Sequence, residues 1–235
     1  MRLVADLHCH SIASGHAYST IQELVASAKN IRLDMIALTD HGISLEGSPG
    51  IYYFWNMSSF PEVIDGVRVL KGVEANIIDY EGNLDMPENV LEKLDIVIAS
   101  LHDICLEPGT KSQNTAALLN VLKNPNVDII GHPDNPMYQI DIDEVVSAAK
   151  EYGKLIEMNN KSFFVRRGAE EFTEKIALAA KKYGTKLSCG SDAHSSFEVG
   201  SFDIITKIIK DCDIPEELII NTSKEKVCKH LKIEI

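Results

Sequence analysis

Short apolar runs rich in β-branched residues alternate with longer helix-patterned segments along the whole chain, and that alternation leaves few folds open. Runs at residues 3–5, 35–38, 67–70, 96–99, 127–130, 155–158 and 186–189 predict seven strands. Between them, residues 20–30 place Ile21, Leu24, Val25 and Ala28 on one helical face, with Thr20 and Glu23 spaced for a capping box. Residues 114–123, 143–152 and 170–183 read likewise, and Gly153 and Gly184 stand at the stop positions of the last two. Residues 77–86, with Glu81-Gly82-Asn83 at the centre, predict a hairpin excursion. The tail from Pro215 predicts one or two short helices. No linker, low-complexity tract or internal repeat interrupts the pattern, so the expectation is one α/β domain over residues 1–235.

The residues that follow each run carry the chemistry. The first run leads into Asp6-Leu7-His8-Cys9-His10. In a strand, His8 and His10 point one way and Cys9 the other, and two adjacent imidazoles can chelate a metal ion. Later runs end in Thr39-Asp40-His41-Gly42, Gly72-Val73-Glu74, Leu101-His102, Gly131-His132-Pro133, Asn159-Asn160 and Gly190-Ser191-Asp192-Ala193-His194. A parallel barrel collects all strand C-termini on one face. Of eight histidines, only His230 lies away from a strand end or the loop after one. A single buried histidine is usually a hydrogen-bonded part of the core, but a set repeated at strand ends points to a metal cluster.

The formal charge of −12 sets up a field that repels polyanions, so an anionic substrate needs a local positive centre. Cys9, Cys105, Cys189, Cys212 and Cys228 are odd in number and scattered, with no Cys-x-x-Cys pair, which fits a reducing compartment. The N-terminus has no signal-peptide core and no run reaches membrane-spanning length, so a cytoplasmic protein with no membrane partner is expected.

Taken together, the strand-end segments, with Ala13-Ser14-Gly15-His16-Ala17-Tyr18-Ser19-Thr20 and Gly72-Val73-Glu74-Ala75-Asn76-Ile77, resemble the PHP (polymerase and histidinol phosphatase) family. The likeness is strongest to its small stand-alone, YcdX-like phosphatase branch and covers nearly the whole chain. The resemblance implies a distorted seven-stranded (β/α)7 TIM-like barrel holding three divalent metal ions. Carried over residue by residue, His8, His10 and Asp192 would bind one ion and His102 and His132 a second, with Glu74 bridging the two. His16, His41 and His194 would bind the third. Spacing alone would put Asp192 and His194 on one ion; the resemblance separates them.

Three ions at +2 less two carboxylates leave about +4, a centre suited to a phosphate ester. The expected reaction is hydrolysis of a small phosphorylated metabolite by a metal-bridging hydroxide, with Glu74, Asp192 and His194 serving catalysis through it. Zinc is the first expectation for the metal, and manganese and iron suit the same donors. Asp6 and Asp40 are candidates to orient imidazoles from behind, or simply to cap backbone amides. Lys161, Arg166 and Arg167 are candidates to hold substrate phosphate, set against a solvated charged loop. Tyr52-Tyr53-Phe54-Trp55 either packs beneath the barrel mouth or lines one wall of a pocket. Cys9 and Cys189 are expected to be neither ligands nor nucleophiles. The alternatives are a PHP-type 3'-5' exonuclease or phosphodiesterase on short nucleic acid, a histidinol phosphatase, and a non-enzymatic metal-binding scaffold. The net charge weighs against the nuclease and the complete ligand set against the scaffold, and a homo-oligomer is left open.

Overall fold

The computed structural model describes residues 1–234. Its strands are β1 (Ala5–Cys9), β2 (Met35–Leu38), β3 (Val63–Ile64), β4 (Val67–Asn76), β5 (Ile96–Ser100), β6 (Ile129–Ile130), β7 (Leu155–Asn159) and β8 (Leu187–Gly190). Apart from β3, which hairpins onto β4, all run parallel in the order β1-β2-β4-β5-β6-β7-β8. Beyond that path, the Asp192 amide donates to the His8 carbonyl (2.9 Å) and the His10 amide to the Ala193 carbonyl (2.8 Å). Seven parallel strands thus form a nearly closed barrel.

Lower on the same seam, the buried Asn221 amide does the work of a missing strand. Its Nδ2 donates to the carbonyls of Ala5 (2.9 Å) and Cys189 (2.8 Å), and its Oδ1 accepts from the Cys189 amide (2.8 Å).

The helices are α1 (Ile21–Asn30), α2 (Ile51–Trp55), α3 (Glu88–Leu91), α4 (Lys111–Val121), α5 (Ile142–Tyr152), α6 (Ser162–Val165), α7 (Ala169–Tyr183), α8 (Asp203–Asp211) and α9 (Lys224–Leu231). The capping box of α1 forms: the Thr20 amide donates to Glu23 Oε2 (2.7 Å) and the Glu23 amide to Thr20 Oγ1 (3.4 Å), a cap worth on the order of 1 kcal/mol. Gly153 and Gly184 end α5 and α7 with φ of 67° and 69°. The excursion after β4 turns at Gly82 and closes through an Ile77–Leu84 bridge. No helix among the described residues is long and apolar enough to cross a membrane.

Several boundaries differ from the sequence reading. The first strand covers the histidine motif itself, residues 5–9, and not 3–5; β4 runs on to Asn76, so Glu74 lies inside a strand. Helix α4 starts at Lys111 because Thr110 and Gln113 form a second capping box. Helix α8 carried no expectation: its Ile205, Ile208 and Ile209 are spaced for a helix, but a run so rich in isoleucine also resembles a strand.

Two apolar layers hold the barrel. Ala5, Leu7, Met35, Ala37, Leu70, Ile96, Ile98, Ile129 and Leu155 fill its interior toward the strand N-termini, and Val227 and Leu231 of α9 pack onto them. Cys9, Ile36, Leu38, Val73, Ala75, Val97, Ile130, Met158 and Cys189 pack outward among the helices. Higher in the barrel, polar side chains succeed apolar ones on the inward positions: Leu70 is followed by Glu74, and Leu155 by Glu157. Strand β1 needs one more device. Between the pairs Asp6–Ile36 and Cys9–Leu38, Leu7 and His8 stand against the single Ala37, a bulge that lets Leu7 fill the interior while His8 and His10 still face the mouth.

Candidate metal centre

Nine side chains from six strand ends and one loop meet at the barrel mouth. Glu74 is their hub. Its Oε1 lies 2.8 Å from His132 Nε2 and 3.4 Å from His102 Nε2. Its Oε2 lies 2.8 Å from His41 Nδ1, 3.3 Å from His8 Nε2 and 3.5 Å from His10 Nε2. Asp192 Oδ1 stands 3.3 Å from His10 Nε2, and His16 Nε2 and His194 Nε2 face each other at 2.9 Å. Of the carboxylates, Glu74 is fully buried and Asp192 nearly so.

Five of the imidazoles are aimed from behind. With Nδ1 as donor, His8 bonds Glu157 Oε1 (2.7 Å), His102 bonds Asn76 Oδ1 (2.7 Å) and His10 bonds Ser14 Oγ (3.3 Å). His16 bonds the Ser14 carbonyl (3.0 Å) and His194 the Asp192 carbonyl (2.9 Å). Each such bond fixes the tautomer that leaves the Nε2 lone pair directed at the centre, as a metal ligand requires. His41 and His132 differ, with Nδ1 of His41 and Nε2 of His132 turned to Glu74.

The donor set fits divalent metal. His8 Nε2, His10 Nε2, His41 Nδ1 and Glu74 Oε2 are buried and none makes a hydrogen bond, the 2.8 Å approach of His41 Nδ1 to Glu74 Oε2 lacking hydrogen-bond direction; a cation would remove a cost of about 1–3 kcal/mol for each such atom. Three overlapping groups have donor atoms within 4.8 Å of one another: His8, His10 and Glu74; His41, Glu74 and His102; and His10, His41 and His194. His10 and His41 each fall in two groups, so the partition between ions implied by the resemblance is not the only one these distances allow.

The electrostatics point the same way. Burial opposes a charge on His8, yet the carboxylates of Glu157, Glu74 and Asp192 raise its pKa well above the ordinary value. Burial would raise Glu74, but His8, His102 and His41 hold it well below the usual carboxylate range. Asp192 is likewise held low, against burial, by His8 and His10. Burial, with His41 beside it, pushes His10 far down, and burial and Arg166 lower His132 to about 4. The field that favours a proton on His8 would attract a cation to the same place. Two of the candidate ligands also sit in the left-handed region, His132 at φ 28° and Asp192 at φ 56°. Such strain persists only where surrounding bonds impose it; here the His132 amide donates to Glu157 Oε2 (2.7 Å) and the Asp192 amide to His8.

The remaining expected residues are placed as follows. Asp6 meets no imidazole: on the outward side of the bulge, its carboxylate accepts from the amides of Ser191 (3.0 Å) and Gly200 (2.8 Å), holding the loop that carries Asp192. Asp40 reaches an imidazole only at one remove, accepting from Ser14 Oγ (2.6 Å), which in turn accepts from the His10 ring (3.3 Å) and from the backbone amide, not the ring, of the adjacent His41 (3.2 Å). Tyr53 donates to Asp40 Oδ2 (2.5 Å) and Phe54 is buried, while Tyr52 and Trp55 are exposed, so the aromatic stretch braces the site from outside without lining it. Lys161 and Arg166 line the cleft over the cluster, with Lys161 paired to Glu198 and Arg166 Nη1 3.8 Å from Asp192 Oδ2. Arg167 is exposed and does not line it. Cys9 and Cys189 are buried in the outer layer, and burial pushes both thiols up.

Glu157 was missed from sequence. Its signal was present: a lone acid in the run Leu155-Ile156-Glu157-Met158, two residues from Leu155 and hence inward-facing. Gly190 makes room for it, since a Cβ there would meet Glu157 Oε1 at 2.3 Å and His8 Cβ at 2.6 Å.

The sequence matches the PHP domain over residues 6–168. It is 54% identical over 232 residues to a probable phosphatase of Acetivibrio thermocellus, covering 99% of this chain and 96% of that one. A probable phosphatase of Caldanaerobacter subterraneus is 55% identical over 234 residues, with 99% and 92% covered. The fold is similar to that of histidinol phosphate phosphatase from Lactococcus lactis, solved with Zn, L-histidinol and phosphate: TM-score 0.64, 18% identity, 90% of this chain and 94% of that one. Barrel, donor cluster and relatives together define a metal-dependent phosphatase. The chain belongs to the PHP-domain family. The PHP match ends before Asp192 and His194, which the last strand nevertheless returns to the cluster.

Proposed function

We propose that the whole chain acts as one domain that hydrolyses small phosphomonoesters at a trinuclear centre, and the observation that carries this is the division of Glu74 between two sets of imidazoles. One oxygen faces His102 and His132 and the other faces His8 and His10, with His41 Nδ1 also against it at 2.8 Å, and a carboxylate shared in this way suits a bridging role. Asp192 would complete the second set, and His16, His41 and His194 would hold the third ion. Bound there, divalent ions, with zinc first and manganese or iron also suited, would supply hydroxide from water near neutral pH and neutralise the phosphate. The protein's own part is orientation and charge. Glu157, Asn76 and Ser14 fix ring directions, and Arg166, with Lys161 beside it, offers the cleft a cation for phosphate oxygens. The surrounding net charge of −12 disfavours long polyanions, which supports a small metabolite over nucleic acid. Scattered cysteines support the cytosol as the compartment.

The test is a panel of phosphorylated metabolites, monoesters and diesters, assayed after Zn, Mn or Fe is restored to metal-free protein. Monoester turnover dependent on metal supports the proposal. Faster diester turnover would shift it to a phosphodiesterase, and retained metal without turnover would revive a binding scaffold.

A further inference from the structure

We propose that the alcohol part of the substrate is apolar, an alkyl or aryl group and not a sugar; this rests on the phosphomonoesterase reading above. The cleft over the donor cluster encloses about 430 Å³. Once the candidate metal ligands are set aside, its walls are Tyr18, Leu45, Lys161, Val165 and Arg166. The two cations belong to the phosphate end of the cleft: Lys161 is paired with Glu198, and Arg166, whose Nη1 donates to Ser162 Oγ (3.1 Å), stands on the side of Asp192, where a phosphate would sit. Tyr18, Leu45 and Val165 are left to meet the ester group.

These three are not incidental surface. Tyr18 is 80% exposed and Val165 59% exposed, both at the rim of the cleft, where a free apolar side chain gains by being covered. The Tyr18 amide donates to the His194 carbonyl (2.8 Å), which ties the backbone that carries the ring to the donor cluster. Val165 ends α6, directly before Arg166, so an apolar wall and a phosphate-binding cation share one short segment. A sugar would bring several hydroxyls into the cleft, each needing a partner as it loses water. Among the described residues no Asn, Gln, Ser or Thr lines it, and the Tyr18 hydroxyl is the one uncharged hydrogen-bonding side chain outside the ligand set.

The experiment uses the metal-loaded protein and n-alkyl phosphates from ethyl to hexyl, whose alcohols differ little in acidity. Because each buried methylene is worth roughly a threefold to fourfold gain, kcat/KM should rise by about threefold per added carbon until the cleft is filled. Glucose 6-phosphate should fall below hexyl phosphate. Calorimetric affinity for the matching n-alkylphosphonates should rise in parallel. In Tyr18→Ser and Val165→Ser the slope with chain length, a ratio internal to each enzyme, should flatten. Turnover with no dependence on chain length, or a preference for the sugar phosphate, would overturn the apolar assignment and leave the phosphatase reading intact. If no phosphate ester is turned over, the phosphatase reading fails. The phosphonate series then decides the apolar wall alone: rising affinity upholds it and constant affinity overturns it.

Discussion

Glu157 holds two parts of the metal centre at once, with Oε1 2.7 Å from His8 Nδ1 and Oε2 2.7 Å from the His132 amide. The carboxylate thereby sets the His8 tautomer and stabilises a left-handed backbone at His132. Glu157→Gln keeps the shape but loses the charge and one of the two acceptors. Metal affinity should fall about 10- to 100-fold, as for other groups that back a metal-binding histidine, while the far-UV spectrum stays that of the parent. Competition against a chromophoric chelator measures this; undiminished affinity would refute the role.

Glu74 and His16 should behave differently when removed. Glu74→Ala deletes an acceptor facing four Nε2 atoms and His41 Nδ1, together with negative charge from a positive centre, so two ions should be lost together and activity should approach background. His16→Ala removes one neutral imidazole at the edge of the cluster, and should lose chiefly one ion with a fall in kcat/KM of about 10- to 1,000-fold. Elemental analysis and kinetics on both folded variants give the order. Equal metal loss with equal residual activity would refute a bridge with a satellite ion.

Thiol chemistry should leave turnover untouched. Cys9 and Cys189 are buried with their thiols pushed up, and none of the five cysteines lines the cleft. Alkylation under native conditions should therefore preserve activity that a chelator abolishes. Loss of activity on alkylation with the metals still bound would make a cysteine part of the machinery.

Asp128 offers a pH dependence remote from the site. Burial raises its carboxyl to about 6, partly offset by the Val97 amide and Lys154. Since the unfolded value is near 4, the folded state binds the extra proton between about pH 4 and 6, and stability falls as pH rises through that window. Asp128→Asn keeps an acceptor for the Val97 amide without the charge. Its stability relative to the parent should be unchanged below pH 4 and higher by about 2 kcal/mol above pH 6, after allowance for partial exposure. Urea midpoints across this range measure the difference; a constant offset would exclude the titration.

What the sequence could determine by itself was whatever repeats locally. The seven strand runs, the Thr20 capping box and the Gly153 and Gly184 stops depend on neighbours a few residues away, and all appear in the fold. The histidines at strand ends were legible for the same reason, because parallel strands in one barrel must deliver their C-termini to one face. Tertiary structure alone decided what depends on register and distance. The β1 bulge, read only from the pairing of β1 with β2, brings Leu7, His8 and His10 to the same side. Asp6 and Asp40 looked alike in sequence, but one bonds backbone amides across the barrel seam and the other reaches His10 through Ser14. Glu157 lies 149 residues from His8, and Asn221 joins the first and last strands from the tail. Such pairings have no local signature, because a hydrogen bond between distant segments depends on where the closed barrel places them.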